Sequence, residues 1–195
     1  MRVADRVESE VGKVTVLVNN AGIMPCLHLE SHTPNLIRRV FDINIMAHFW
    51  TLEAFLPSMK RRNFGHVVAI SSMCGISGLP NAVAYSSTKF AVRGMMEALS
   101  EEMRIADKQI KFTTVYPFTV DTGLVKKPRN RFPSLLNILQ PDEVAGQVVK
   151  AVRQDIKEIS VPASLLKTDN LIRLLPSRLV HHMRDFLDTG VDPEE

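Results

Sequence analysis

Apolar and polar positions alternate along this chain in two rhythms, one helical and one extended. Val3, Val7 and Val11 recur every four residues between charged neighbours, and Gly12 stands where such an amphipathic helix would end. Val14-Thr-Val-Leu-Val18 is a short apolar run rich in β-branched residues, which predicts a strand buried on both faces of a parallel sheet. Asn19-Asn-Ala-Gly22 interrupts it. From Thr33-Pro34 the sequence is free of glycine until Gly65, predicting one long helix to about Arg61. Gly65 to Ile70 reads as a second strand stopped by Ser71 and Ser72, Val83 to Ala106 as a helix, and Ile110 to Tyr116 as a third strand stopped by Pro117. Residues 118–139 read as irregular. Pro141-Asp-Glu opens a helix to about Lys157, with acids where the helix dipole favours them. Glu158 to Leu165 predicts a last strand, and the tail from Thr168 one or two helices broken at Pro176.

Strands alternating with crossover helices predict an α/β fold built on a doubly wound parallel sheet. Ligands in such sheets sit beyond the carboxyl ends of the strands, so the chemistry is expected just after Val18, Ile70 and Tyr116. The opening helix feeds straight into a buried strand, an abrupt start for a globular unit. The chain is therefore expected to begin inside a larger fold.

Composition narrows the class. The 195 residues are 45% hydrophobic and 23% charged, the balance of a packed soluble domain. A formal charge of +3 is too weak to argue for nucleic acid. No run approaches the roughly 18 uninterrupted apolar residues of a membrane span. The acids in MRVADRVESEVGK argue against a signal peptide. Cys26 and Cys74 are too few for a disulfide framework or a four-cysteine zinc site, and the six histidines show no ligand spacing.

Each strand end carries polar residues. Ser71-Ser72 follows the second strand, and Tyr85-Ser-Ser-Thr-Lys89 lies on the next helix, where positions i and i+4 share a face. A phenol beside an ammonium is expected to have its pKa drawn down toward neutrality, making a proton donor or acceptor usable at cellular pH. Ser72 can bond the same substrate oxygen, and Asn44 can anchor a water leading to Lys89. Singly, each has an ordinary reading: a chance pair, a strand-ending turn, a solvent-facing amide. Their joint placement after successive strand ends carries the argument.

These residues resemble a known family. Asn19-Asn20-Ala21-Gly22, Asn44 in Phe-Asp-Ile-Asn-Ile, Ile70-Ser71-Ser72, Tyr85-Ser-Ser-Thr-Lys89 and Pro117-Phe-Thr-Val-Asp-Thr122 match, in order and spacing, the short-chain dehydrogenase/reductases over residues 1 to about 160. The resemblance implies a Rossmann-type oxidoreductase using NAD or NADP. It implies a catalytic tetrad of Asn44, Ser72, Tyr85 and Lys89, with Tyr85 as acid/base, Ser72 on the substrate oxygen, Lys89 on the nicotinamide ribose and Asn44 on a relay water. It places Asn20, Ala21, Gly22, Pro117, Val120 and Thr122, together with Tyr85 and Lys89, at the cofactor. Asn-Asn-Ala-Gly-Ile-Met-Pro, Phe49-Trp50-Thr51 and Pro117-Phe118 look most like the retinol and 17β-hydroxysteroid dehydrogenase branch, implying a lipophilic alcohol or carbonyl substrate.

One expected part has no counterpart. The family's Thr-Gly-x-x-x-Gly-x-Gly loop, which holds the pyrophosphate at a helix N-terminus, matches nothing here. The chain thus reads as a single partial domain, 1–195, starting at the helix before the family's fourth strand, with 118–140 as substrate lid and 168–195 as a helical tail. An edge strand left unpaired is the expected consequence. The alternative reading is an inactive truncated member acting only as a partner subunit. A nucleotide-sugar epimerase shares Tyr-x-x-x-Lys but fits the Asn-Asn-Ala-Gly segment poorly. By the resemblance, the complete protein is expected to be a homodimer or higher oligomer through the helices carrying Trp50 and Met95. It is expected to be intracellular: at the cytoplasmic side of endoplasmic reticulum or lipid droplets if it follows this branch, otherwise in the cytoplasm. Lys126-Lys-Pro-Arg-Asn-Arg131 reads as a solvated loop, or as a contact for anionic headgroups. Ile172, Leu175, Leu179, Met183 and Phe186 are expected to pack on the domain or lid.

Overall fold

The computed structural model describes residues 3–194. The opening valines form α1 (Val3–Glu10), followed by β1 (Val16–Asn19). Thr33 caps α2 (Pro34–Phe41), its hydroxyl accepting from Leu36 N at 3.2 Å with Pro34 in the first turn. Then come α3 (Ala47–Arg62), β2 (Gly65–Ile70), α4 (Val83–Ile105), β3 (Ile110–Pro117) and the short β4 (Pro128–Arg129). The chain continues through α5 (Pro141–Arg153), β5 (Glu158–Val161), α6 (Ser164–Ile172), α7 (Ser177–Leu187) and β6 (Gly190–Val191).

Four strands pair in parallel in the order β1-β2-β3-β5. Alternation divides their side chains between two faces. Leu17, Val67, Ala69, Ile110 and Phe112 pack with Leu52 and Met59 of α3 and Val92, Met96 and Met103 of α4. Val68, Val115 and Val161 pack on the other face with Val144 of α5. Burial of such side chains, about 1.5–3 kcal/mol each, holds the helices on the sheet.

Four predicted features change. The long helix is interrupted between α2 and α3 by a π-helical turn at Asp42–Met46, a wider loop that accommodates one residue more than regular helix would. β1 is not buried on both faces: Val16 and Val18 are 45% and 50% exposed, because the face that α5 covers farther along the sheet is open at this edge. α5 stops at Arg153 rather than Lys157, where Asp155 turns through a left-handed conformation (φ 54°) so that Lys157 O can meet Thr114 N at the start of the β3–β5 ladder. β5 ends at Val161 because Pro162 has no N–H to extend the ladder.

The tail also differs. α6 and α7 contain no fully buried residue, and Leu175, Leu179 and Phe186 of the expected packing stripe are exposed. Ile172 and Met183 are half-buried, and Phe186 stacks near Phe132 at 5.2 Å between ring centroids. Beyond α7 the chain returns to the 118–140 segment, where β6 pairs antiparallel with β4.

Candidate active site

The carboxyl ends of β1, β2 and β3 open onto a cavity of about 1470 Å³. Asn20, Ala21 and Gly22 line it after β1, Ser72 after β2, Tyr85 and Lys89 from the first turns of α4, and Pro117, Val120 and Thr122 after β3. Asn44 is the one predicted site residue that does not line the cavity. It lies fully buried behind the wall.

The π-turn explains the placement of Asn44. Its Oδ1 accepts from Ile23 N at 2.8 Å, and its Nδ2 donates to Ile23 O at 2.9 Å and to Thr88 Oγ1 at 3.2 Å. Thr88 in turn donates to Tyr85 O at 2.7 Å. One amide thus clamps the loop after β1 to the helix that carries Tyr85 and Lys89, leaving one acceptor lone pair on Oδ1 unused. Ser71 adds a second clamp, its hydroxyl donating to Lys89 O at 3.0 Å.

Lys89 is 3% exposed, and its ammonium donates to Ile70 O at 2.9 Å. A Cβ placed on Gly22 would stand 3.6 Å from Lys89 Nζ and 3.5 Å from Asn44 Oδ1, so bare backbone borders the ammonium there. That cradle, with the Asn20–Gly22 and Pro117–Thr122 loops around it, fits the ribose and nicotinamide end of a dinucleotide. The nine glycines of the chain supply no phosphate loop for the other end.

Burial decides the protonation states. It pulls the Lys89 ammonium down to about 8, with Cys74 opposing the shift. It pushes the Tyr85 phenol well above its usual range; Cys74 and Cys26 add to this, while a hydrogen bond with Ser72 opposes it. The expected lowering of Tyr85 toward neutrality is therefore corrected. The ammonium lies 5.5 Å from the ring centroid and bonds Ile70 O, and desolvation of the phenolate outweighs its attraction. Tyr85 is a neutral phenol in this state. Ser72 Oγ accepts from Cys74 N at 3.1 Å, which leaves its own proton to give. Burial raises both thiols, Cys26 to about 11, so neither is a thiolate nucleophile at neutral pH. The second tyrosine, Tyr116, faces Glu158 and Arg93 away from the cavity.

His48, one turn past Asn44, was not among the residues singled out from sequence. It is 2% exposed, both ring nitrogens lack a partner among the described residues, and burial and then Lys89 lower it to about 4. The i,i+4 spacing from Asn44 was its only signal. The basic loop is also resolved: Lys126 pairs with Glu194 at 2.6 Å, Arg129 with Asp188 and Asp192 at 2.9 and 2.8 Å, and Arg131 donates to Phe186 O at 3.0 Å. These three cations bond to the tail and stay exposed to solvent, Lys126 at 65%, Arg129 at 48% and Arg131 at 49%.

A family model described as short chain dehydrogenase matches residues 1–131. Human estradiol 17-beta-dehydrogenase 11 is 36% identical over 178 residues, covering 91% of this chain and 58% of that protein. Human retinol dehydrogenase 10 is 39% identical over 187 residues, covering 94% and 55%. The chain thus spans little more than half the length of these curated relatives. Among solved structures, ElxO with NADP bound superposes with a TM-score of 0.70 at 26% identity, over 81% of this chain and 69% of that one. A gluconate 5-dehydrogenase from Burkholderia cenocepacia in complex with NADP and tartrate shares the fold, with a TM-score of 0.69 at 22% identity over 80% and 66%.

Proposed function

The chain belongs to the short-chain dehydrogenase family, whose members are oxidoreductases, and from that premise we propose that it interconverts an alcohol and a carbonyl on a lipophilic substrate with NAD or NADP. The observation that carries the reading is the buried phenol of Tyr85, set 5.5 Å from the Lys89 ammonium by ring centroid and sharing with Ser72 the cavity at the strand ends. Lys89, Asn20, Ala21, Gly22, Pro117, Val120 and Thr122 would hold the cofactor, which supplies or accepts the hydride at the carbinol carbon when bound.

The chain's own residues handle the oxygen. In the reductive direction Tyr85 gives its proton to the substrate oxygen, and Ser72 donates a second hydrogen bond to it. Lys89, with a pKa of about 8, exchanges protons readily near neutrality and restores Tyr85. Asn44 keeps the two segments in register, and its spare lone pair is what it offers a relay. Oxidation runs the same transfers backward. The apolar groups around Tyr85, among them Met24, Leu79 and Leu124, suit a hydrocarbon substrate. Support also comes from the names of the relatives, which act on estradiol and retinol.

Two partner surfaces belong to this reading. A groove of about 560 Å³ between α3 and α4, lined by Phe49, Leu56, Met95 and Leu99, is the proposed contact with a second copy. Exposed Leu171, Leu174, Leu175, Leu179 and Phe186 of the tail are what a lipid surface would meet. No helix among the described residues is long and apolar enough to cross a membrane.

Tyr85→Phe tests the assignment. The ring and its packing stay, while the hydroxyl that passes the proton is gone. Turnover at saturating cofactor is expected to fall roughly 10²–10⁴-fold, with cofactor affinity unchanged by fluorescence titration. Oxidation of retinol-like or steroid-like alcohols at the parent rate would remove Tyr85 from the chemistry.

A further inference from the structure

The wall of the cavity around Tyr85 is built from segments far apart in the chain. Met24, Cys74, Leu79, Leu124, Val125 and Val191 gather there, and all six line the cavity. Val191 is the outlier in sequence. It is 5% exposed and arrives from β6, after α7 has crossed the mouth of the cleft.

A two-residue ladder does not hold itself in place, so other bonds must fix β6. Asn81 Nδ2 donates to Val191 O at 3.0 Å, Asp192 N donates to Lys127 O at 3.0 Å, and Glu194 N donates to Cys26 O at 2.7 Å. These bonds tie residues 191–194 to three separate parts of the wall. The ion pairs of Arg129 with Asp188 and Asp192 and of Lys126 with Glu194 lie on the outside, where single pairs add little strength but favour one register. Of the arginines lining the cavity, these pairs occupy Arg129, and Arg184 donates to Ser77 Oγ at 2.7 Å. A carboxylate or phosphate on a substrate finds Lys126 and Arg129 already paired.

Resting on the reading of this cavity as an alcohol and carbonyl site, we propose that residues 188–194 form a strap across its substrate half and that Val191 determines substrate specificity. Its isopropyl group sets the depth of the apolar pocket in front of the Tyr85 hydroxyl. The substrate it selects is an uncharged hydrocarbon alcohol, discriminated by bulk. A larger side chain at 191 shortens the pocket, and a smaller one deepens it.

Binding measures this without turnover. All-trans-retinol, followed by its own fluorescence, is titrated into the parent protein, Val191→Trp and Val191→Ala, and a sterol-sized alcohol is titrated in competition. Val191→Trp is expected to weaken retinol binding at least tenfold. Val191→Ala is expected to raise the ratio of sterol to retinol affinity at least threefold. Unchanged retinol affinity in a Val191→Trp protein with parental thermal unfolding overturns the inference. If that variant does not fold, an unchanged affinity ratio in Val191→Ala overturns it, as does a parent protein that binds neither probe. A parent that binds retinol, responds at position 191 and yet oxidises no alcohol at saturating NAD or NADP leaves the strap standing and overturns the proposed function.

Discussion

Lys89 is a cation kept in nearly dry surroundings, and that has a cost separate from its chemistry. Its folded pKa of about 8 lies below its ordinary 10.5, so the native state is penalised whenever the ammonium is charged. The penalty is complete below pH 8, shrinks as pH rises from 8 to 10.5, and vanishes above. Each pH unit across that interval is worth about 1.4 kcal/mol, about 3 kcal/mol altogether. Lys89→Met removes the charge but leaves Ile70 O without its donor, a loss of about 1–2 kcal/mol. Urea unfolding is expected to show the variant about 1–2 kcal/mol more stable at pH 7, with the gain gone by pH 10.5. Lower stability at pH 7 would mean that water reaches the ammonium. The gain at pH 7 would place this site among those where function is kept against stability. At this scale the sequence was legible where the geometry is local. Tyr85 and Lys89 share a face because they are four apart on one helix, and Ser72 sits at a strand end. The protonation of Tyr85 was not legible, because it depends on which way a long side chain bends in three dimensions.

The elements meet the site through close approaches of backbone. Gly75 lies in the turn after β2, where an added Cβ would fall 2.5 Å from Ser71 Oγ and 2.6 Å from Lys89 O. Lys89 O is helix backbone and cannot yield alone, so Gly75→Ala must push α4 off the sheet. The expected loss is about 1–3 kcal/mol, with turnover reduced because Tyr85 and Lys89 move with the helix. Gly146 in α5 is the contrasting case: nothing lies within 4 Å of the added methyl, and its φ is not left-handed. Gly146→Ala is expected to raise stability by about 0.5–1 kcal/mol through helix propensity alone. Denaturation midpoints of the two variants should move in opposite directions. The elements themselves were largely readable, since β-branched runs and long glycine-free stretches are local signals. The π-turn was not, because the periodicity on either side of Asp42–Met46 is helical and the extra residue shows only in hydrogen bonding. Nor was the strap. Two residues, Gly190 and Val191, carry no pattern, and their place follows from contacts with Asn81, Lys127 and Cys26 that no window of sequence contains.

For the whole molecule, residues are present for the proposed nicotinamide end of the site, and no glycine loop for the pyrophosphate occurs in this sequence. The 195-residue chain is expected to bind NADPH at least a hundredfold more weakly than a full-length relative, a difference of roughly 2.7 kcal/mol. Fluorescence titration measures it, and low-micromolar binding would show that the other walls suffice. The α3–α4 groove gives a second expectation, a dimer at micromolar concentration that Leu99→Glu dissociates, read by light scattering. A parent chain that runs as a clean monomer would count against that pairing. The π-turn at Asp42–Met46 bears on how such a molecule can change over evolutionary time. The turn holds one residue more than regular helix, so dropping a single residue there would restore regular helix and leave the register of α3 unchanged. Leu52 and Met59 would keep their places on the sheet, while the clamp of Asn44 on Ile23 would be lost. A lineage can therefore gain or lose the clamp through one residue without disturbing the core.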